Sequence, residues 1–338
     1  MTKQTVRVLD ADEWPRWDAF VSAHPQGTLF QTTAWLSRLE GELSILALEG
    51  PEEGRLIGGL ALLRNRRFRV AGYHPPTLTP YMGPLVTPGE SDKEDVGRNA
   101  YQQGVQLLLA ALPRAGHVDF LLHPEQTNIL PYLWNGFSVE LGYTNFIEGS
   151  VEDFLQRMSY GHRKRLRRLQ RMQEAGQVEL VELQDPRELF GLLEATMRTK
   201  HFRYDIEAIR RLFTPDCYQQ TWKAVKVQAE GQPLACALSA FDAHTCYSLV
   251  GGVSRTGNSD LANSHLLCFD YMIRHALESG RRFDFCGSSL PGVDHFNRRY
   301  GGRLMPRIRV LKSRSPLMSL LRIGKQLLTE RKAAVVVD

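Results

Sequence analysis

The chain has 338 residues, of which 43% are apolar and 23% charged, and its formal net charge is +5. That length exceeds what one hydrophobic core usually serves, and the apolar content excludes a disordered chain, so two folded domains are expected. The mild positive charge permits an anionic partner without demanding one. No apolar run follows the start MTKQTVRVLDADEW, and Val105–Leu112 is too short to span a bilayer. The expectation is a cytoplasmic protein without a signal peptide, able to touch the inner face of the membrane peripherally. Cys217, Cys236, Cys246, Cys268 and Cys286 form no C-x-x-C pair and read as small buried hydrophobes in a reducing compartment.

In chain order, Trp14, Trp17, Phe20 and Val21 recur at helical spacing over Glu13–Ser22, and Thr32–Glu40 reads as a second short helix. Leu43–Leu48, Leu56–Leu63 and Phe68–Ala71 follow as strands. The Pro- and Gly-rich stretch 73–90 is an ordered loop with packing side chains, from which Tyr73 and Tyr81 could wall a cleft. A helix over Lys93–Ala111 leads to a strand at Val118–Leu122, a helical or turn-like stretch at Thr127–Gly136, and a strand at Ser138–Ile147.

The second half opens with helices at Val151–Met158 and Arg163–Glu174, then a strand at Val178–Glu182 and helices at Pro186–Thr199 and Ile206–Phe213. Trp222–Ala229, Leu234–Phe241 and Thr245–Gly252 are three strands joined by short turns. A long helix over Leu261–Glu278, a strand at Phe283–Cys286, a helix over Pro291–Tyr300 and a strand at Leu304–Leu311 come next. Leu317–Glu330 is a terminal amphipathic helix, free to pack within the chain or in a dimer. In each half a three-strand meander feeds a long helix, a short strand, a connection and a last strand. The first closes with 138–147 and the second with 304–311, the order of a duplicated α/β unit.

Three segments carry chemistry. Leu166 and Leu169 anchor the run RKRLRRLQR, leaving Arg163, Lys164, Arg167 and Arg171 for a wetter face. Such clustered charge suits a phosphate-rich substrate, an anionic lipid surface, or a face salt-bridged to Glu174, Glu179 or Glu182. The loop Gly251–Gly257 supplies glycines for close backbone approach and Arg255 for an anion, ahead of a helix start at Asn258–Asn263. Arg255 and Gly257 are the phosphate-site candidates there, the alternative being a capped helix after a flexible turn. Asp284 lies in a short apolar strand, where a carboxylate needs partners. It reads either as a base or orienter for an attacking amine or as a turn-stabilising carboxylate. The histidines are scattered, with neither H-E-x-x-H nor a Cys/His cluster, so no metal is expected. No G-x-S-x-G elbow occurs either, which favours direct transfer over a covalent intermediate.

Four segments together resemble the FemAB/FemX-like peptidoglycan bridge-forming aminoacyltransferases and their acetyltransferase-like (GNAT) relatives. They are W-x-x-F-V…H-P-x-G-T-L-F-Q-T-x-x-W from Trp17 to Trp35, GHRKRLRRLQR at 161–171, the long helix ending at Gly280 before FDFCG, and FNRRYGG at Phe296–Gly302. The resemblance covers about 20–315. It implies an α/β (α+β mixed sheet) fold of two tandem GNAT-like acyltransferase domains, at 1–150 and 151–315, with a terminal helix and tail at 316–338. It also implies an N-acyltransferase acting on an amine of a cell-envelope or polysaccharide precursor. Its bridge-forming members move an amino acid from aminoacyl-tRNA onto a lipid-linked peptidoglycan precursor. The implied partners are therefore a phosphate-bearing donor, acyl-CoA or aminoacyl-tRNA, and an amine acceptor. Asn297, Arg298 and Tyr300 fall in the motif whose lysine, in the bridge-forming enzymes, is associated with recognition of the substrate or transferred group, and they are the candidates for substrate or phosphate binding there. Asn297 replaces the lysine of the family's F-K-x-x-F-G-G, leaving Arg298 to supply the charge, and the Arg255–Asp260 loop does not reproduce the usual acetyl-CoA signature. A catalytically degenerate binding or scaffold protein in envelope assembly is the other class of reading.

Overall fold

The computed structural model describes residues 4–52, 54–67, 70–87, 94–200, 205–254, 261–288 and 291–314. It divides into two units, one comprising the chain to Leu141 together with Ile308 and beyond, the other Gly142–Arg307. Among the described residues no helix is long and apolar enough to cross a membrane.

In the first unit, strand β1 (Thr5–Val8) pairs with β2 (Glu42–Glu49), which forms an antiparallel hairpin with β3 (Leu56–Arg67). Helices α1 (Trp14–Ala23) and α2 (Thr33–Leu36) lie between β1 and β2 in the chain. Trp17 is fully buried, and its indole N–H donates to Gln31 O at 2.7 Å. Gly59 makes room for that ring, since a Cβ there would lie 2.4 Å from it. Strand β4 (Val70–Tyr73) pairs with β3, as does the two-residue β5 (Leu85–Val86). Helix α3 (Glu94–Ala110) then buries Val105, Leu108 and Leu109 in one cluster with Leu46, Leu48, Leu60 and Leu62. Each such side chain removed from water contributes roughly 1.5–3 kcal/mol. Strand β6 (His117–Leu121) runs parallel to β4, and helix α4 (Leu130–Trp134) precedes β7 (Ser138–Ile147).

The second unit begins in β7 and continues through α5 (Val151–Arg157) and α6 (Tyr160–Glu174). Ser150 and Ser159 cap these helices, accepting from Asp153 N and His162 N. Strand β8 (Glu179–Leu183), helices α7 (Phe190–Lys200) and α8 (Ile206–Leu212), and the meander β9 (Trp222–Ala229), β10 (Gln232–Phe241) and β11 (Thr245–Val253) come next. Helix α9 (His265–Glu278) buries Leu266, Leu267, Met272, Ile273 and Ala276 in a cluster that includes Leu166 and Leu169 of α6. Strand β12 (Arg282–Asp284), helix α10 (Pro291–Asn297) and β13 (Arg303–Ser313) complete the described chain.

Both units show one order: an edge strand, a meander, a strand parallel to its last member, and a closing antiparallel strand. It runs β1-β2-β3-β4-β6-β13 in the first and β8-β9-β10-β11-β12-β7 in the second. The closing strands are exchanged relative to the sequence expectation. Residues 309–313 pair with 117–121, while 146–147 pair with 283–284. Periodicity marks a strand but not its partner, so pattern alone assigned each closing strand to its own half. The edge strand β1 and the short β5 were absent from the expected elements, and the helix expected over Thr32–Glu40 is shorter. The expected terminal helix Leu317–Glu330 lies outside the described residues.

Candidate active site

Parallel pairing of β11 with β12 covers only three positions, Thr245 with Arg282, Cys246 with Phe283 and Tyr247 with Asp284. Strand β11 then continues to Val253, while the other strand ends. The register between β10 and β11 slips at this point, from Leu238 opposite Val250 to Ser239 opposite Ser248, so Leu249 is the extra residue of a bulge. Bulges re-aim side chains and end pairing, and they are common beside active sites. The two strands part directly beyond Tyr247 and Asp284. At the far end of β11, Thr196 of α7 closes the edge. Its hydroxyl accepts from Val253 N at 2.8 Å and donates to Val253 O at 3.1 Å.

Asp284 is fully buried where the strands part. Its Oδ1 accepts the Thr144 hydroxyl at 2.5 Å and the Cys286 backbone N–H at 2.8 Å. Those bonds stabilise a charged carboxylate and orient it. Cys286 takes a positive φ of 57°, which turns the chain away from the strand direction. Burial, reinforced by the neighbouring Asp284 charge, pushes the Cys286 thiol well above its usual range. A thiol held protonated is a poor nucleophile. Burial likewise pushes Cys236 and Cys246 up to about 12.

The outgoing chain is pinned by amides. Asn297 is buried and donates through Nδ2 to Gly287 O and to the Ser288 hydroxyl, both at 2.8 Å. Asn145 donates to the same hydroxyl at 2.6 Å, and Arg307 Nη1 to Cys286 O at 2.7 Å. The residue standing where the family carries lysine thus acts as a brace for the 286–288 turn. Tyr300 is buried too. Its ring packs edge-on against His162, 5.2 Å between centroids, and beside Phe269, Phe285 and Phe296. Arg298 is exposed and meets His295 Nδ1 at 3.0 Å. Gly301 of the motif is fixed by its backbone and its neighbour. Gly301 has φ of 76°, and a Cβ there would lie 2.5 Å from Arg157 O. Close by, Arg299 O accepts from Ser159 N at 2.8 Å, tying the motif to the start of α6.

Helix α6 turns His162, Leu166 and Leu169 inward. On the opposite face, Tyr160, Lys164, Arg167 and Arg171 are exposed at i, i+4, i+7 and i+11. Tyr160 is 74% exposed. Arg163 is half-buried and donates to Leu155 O at 3.2 Å, and Arg171 to Arg167 O at 3.4 Å. Among the described residues no carboxylate pairs with Arg163, Lys164, Arg167 or Arg171. Two of the acids that might have done so, Glu179 and Glu182, are engaged elsewhere. Glu179 accepts from Gln228, and Glu182 from Lys223 at 2.5 Å and from the hydroxyls of Tyr218 and Tyr271. Burial works against the Glu182 charge, but those donors outweigh it and bring its pKa down to about 2.

The remaining sequence candidates fall elsewhere. Arg255 and Gly257, with the helix start at 258–260, lie outside the described residues. Tyr73 and Tyr81 are buried in the first unit, Tyr73 in its main apolar cluster and Tyr81 against Phe30 and His123. The roles of Thr144, Asn145 and Ser288 were not read from the sequence. Only the pairing of 146–147 with 283–284 brings 144–145 to Asp284 and Ser288.

Residues 157–298 match the family model of the acetyltransferase (GNAT) domain. No curated protein matches the sequence significantly. Among solved structures, FemX is similar with a TM-score of 0.61 at 14% identity, over 89% of this chain and 96% of that one. The C-terminal domain (DUF2156) of a protein designated a lysylphosphatidylglycerol synthetase, from Agrobacterium fabrum, gives 0.56 at 12%, over 94% and 97%. A tandem GNAT protein of the clavulanic acid biosynthesis pathway gives 0.53 at 12%, over 93% and 99%. At such identities these likenesses concern the fold.

Proposed function

We propose that this chain, a FemX/FemAB-like homologue within the GNAT superfamily, is a cytoplasmic N-acyltransferase. It moves an acyl or aminoacyl group onto an amine of a cell-envelope or polysaccharide precursor. The parting of β11 from β12 beyond Tyr247 and Asp284 carries this reading, because it sets a strand edge beside an oriented carboxylate inside the GNAT-matching segment. The shared strand order supports two GNAT-like units, with the chemistry in the second.

In the proposed reaction the acceptor amine attacks the donor's carbonyl. The C–N bond forms as the C–S bond of an acyl-CoA, or the C–O bond of an aminoacyl-tRNA, breaks. Asp284 orients the amine and accepts its proton, which passes to the leaving sulfur or oxygen. In this reading backbone N–H groups along the parted strand edge receive the developing oxyanion. The raised Cys286 thiol supports direct transfer without a cysteinyl intermediate. The exposed stripe Lys164, Arg167 and Arg171 suits the donor's phosphates, and an RNA donor would use all of it.

The test is steady-state kinetics with acyl-CoA and aminoacyl-tRNA donors against amino-sugar and peptidoglycan-precursor amines. Asp284→Asn should lower kcat/KM by about 10²–10⁴-fold without unfolding the chain. An unchanged kcat/KM would remove Asp284 from the mechanism. The complete burial of Asp284 favours one second reading, a non-catalytic binding protein in which the carboxylate only braces the turn. Donor binding without turnover for every acceptor would select it.

A further inference from the structure

Strands β4 and β6 run parallel with Gly72 opposite His117 and Tyr73 opposite Val118. Extending that register sets His74 beside Asp119. Residues 117 and 119 share one face of their strand, and so do 72 and 74. The three polar side chains His74, His117 and Asp119 therefore gather on one face of the first unit's sheet. All three are buried, and their nearest ligand-type atoms lie within 4.8 Å of one another. The two imidazoles stack nearly parallel, 16° between planes and 4.9 Å between centroids. Gly72 makes this approach feasible, since a Cβ there would come within 2.3 Å of His117 O and 3.1 Å of His74 Nε2.

His117 Nε2 stands 3.9 Å from Asp119 Oδ2, beyond hydrogen-bond length, and His117 Nδ1 is buried without a partner. Arg309 Nε donates to Asp119 Oδ1 at 2.8 Å. Arg309 Nη1 also meets Glu140 at 3.1 Å. One guanidinium thus faces two carboxylates.

We propose that His74, His117 and Asp119 bind a divalent transition metal ion of the zinc type, clipping the end of β4 to β6. Two imidazoles and a carboxylate match the ligand preference of zinc, and the Arg309 contact orients the carboxylate from outside. Zinc bonds of about 2.0–2.2 Å bring ligand atoms closer together than the present spread, so the three side chains draw in on binding. The proposal is independent of the acyl-transfer reading and gives the two histidines a joint role that their separation in sequence conceals.

The experiment titrates the full chain, stripped by chelator, with Zn²⁺ and follows both stoichiometry and Tm. One ion per chain and a raised Tm are expected, and His117→Gln and His74→Gln should each weaken binding by about 100-fold or more. No zinc above a dialysed control, or affinity unchanged in both variants, overturns the proposal. Should both variants fail to fold, X-ray absorption of the zinc-loaded wild-type chain decides. Two imidazole ligands support the site, and one or none overturns it.

Discussion

The two units end their parallel ladders with different side chains. The last paired residues are Tyr73 and Val118 in the first and Tyr247 and Asp284 in the second. A tyrosine stands in each, but the second unit has a carboxylate where the first has a valine. The chain beyond each ladder differs as well. In the first unit it returns beside β6, where Met82 bridges Leu121 and donates to its carbonyl at 2.7 Å. Gln126 Nε2 holds Pro84 O at 2.7 Å, and Gln31 Nε2 holds Gly83 O at 2.9 Å. Those bonds fill with backbone the place where strands diverge. In the second unit a bulge and a left-handed turn occupy the corresponding positions. One strand order can therefore carry a packed seam or a candidate site, depending on a few residues after the ladder.

That contrast can be broken by loosening the seam. Gln126→Ala leaves Pro84 O and His123 N without their buried partner, at a cost of about 2–3 kcal/mol. Denaturant unfolding should register the loss, and kcat/KM should stay within twofold, roughly the error of such assays. A fall like that expected for Asp284→Asn would show that the seam is not inert.

A second comparison concerns His162, buried against Tyr300. Burial, then the charges of Arg299, Arg165 and His295, depress its pKa from 6.5 to about 4. The unfolded chain then binds the proton more readily. This contribution is complete above the unfolded value and is lost as pH falls from about 6.5 towards 4. Removing it in His162→Leu should flatten the decline in Tm across that window, corresponding to about 3 kcal/mol. Equal slopes in the variant and the wild type would place the acid sensitivity elsewhere.

The smallest stability effect belongs to the α6 stripe. Reversing Lys164, Arg167 and Arg171 to glutamate together should shift stability by no more than about 0.5 kcal/mol per site, because these side chains have no ion pairs to lose among the described residues. Donor binding should weaken and lose its dependence on salt. Unaltered binding would leave the stripe as a solvated surface.

Legibility followed locality. The basic helix was readable because Leu166 and Leu169 fix its inner face at helical spacing, and the structure keeps its arginines outward. The motif ending in Gly301 and Gly302 was readable because a left-handed residue pressed against Arg157 tolerates no side chain. Asp284 was conspicuous as a charge within an apolar strand, but its partner Thr144 was not, since they meet only through strand pairing. The gathering of His74 and His117 was hidden for the same reason, and metal ligation was not expected from the sequence. Strand β5 was missed because two residues are too few to show alternation.

The exchanged closing strands have a consequence for biosynthesis. As the chain leaves the ribosome, β6 emerges long before residues 309–313 exist to cover its edge. The Asp119–Arg309 contact closes a span of 190 residues. The second unit's residues, 142–307, are all synthesised before that edge can be capped. The nascent first unit must therefore wait with an open strand edge, the feature most prone to mispairing and most in need of a chaperone. A chain terminated after Arg307 would keep that edge bare permanently.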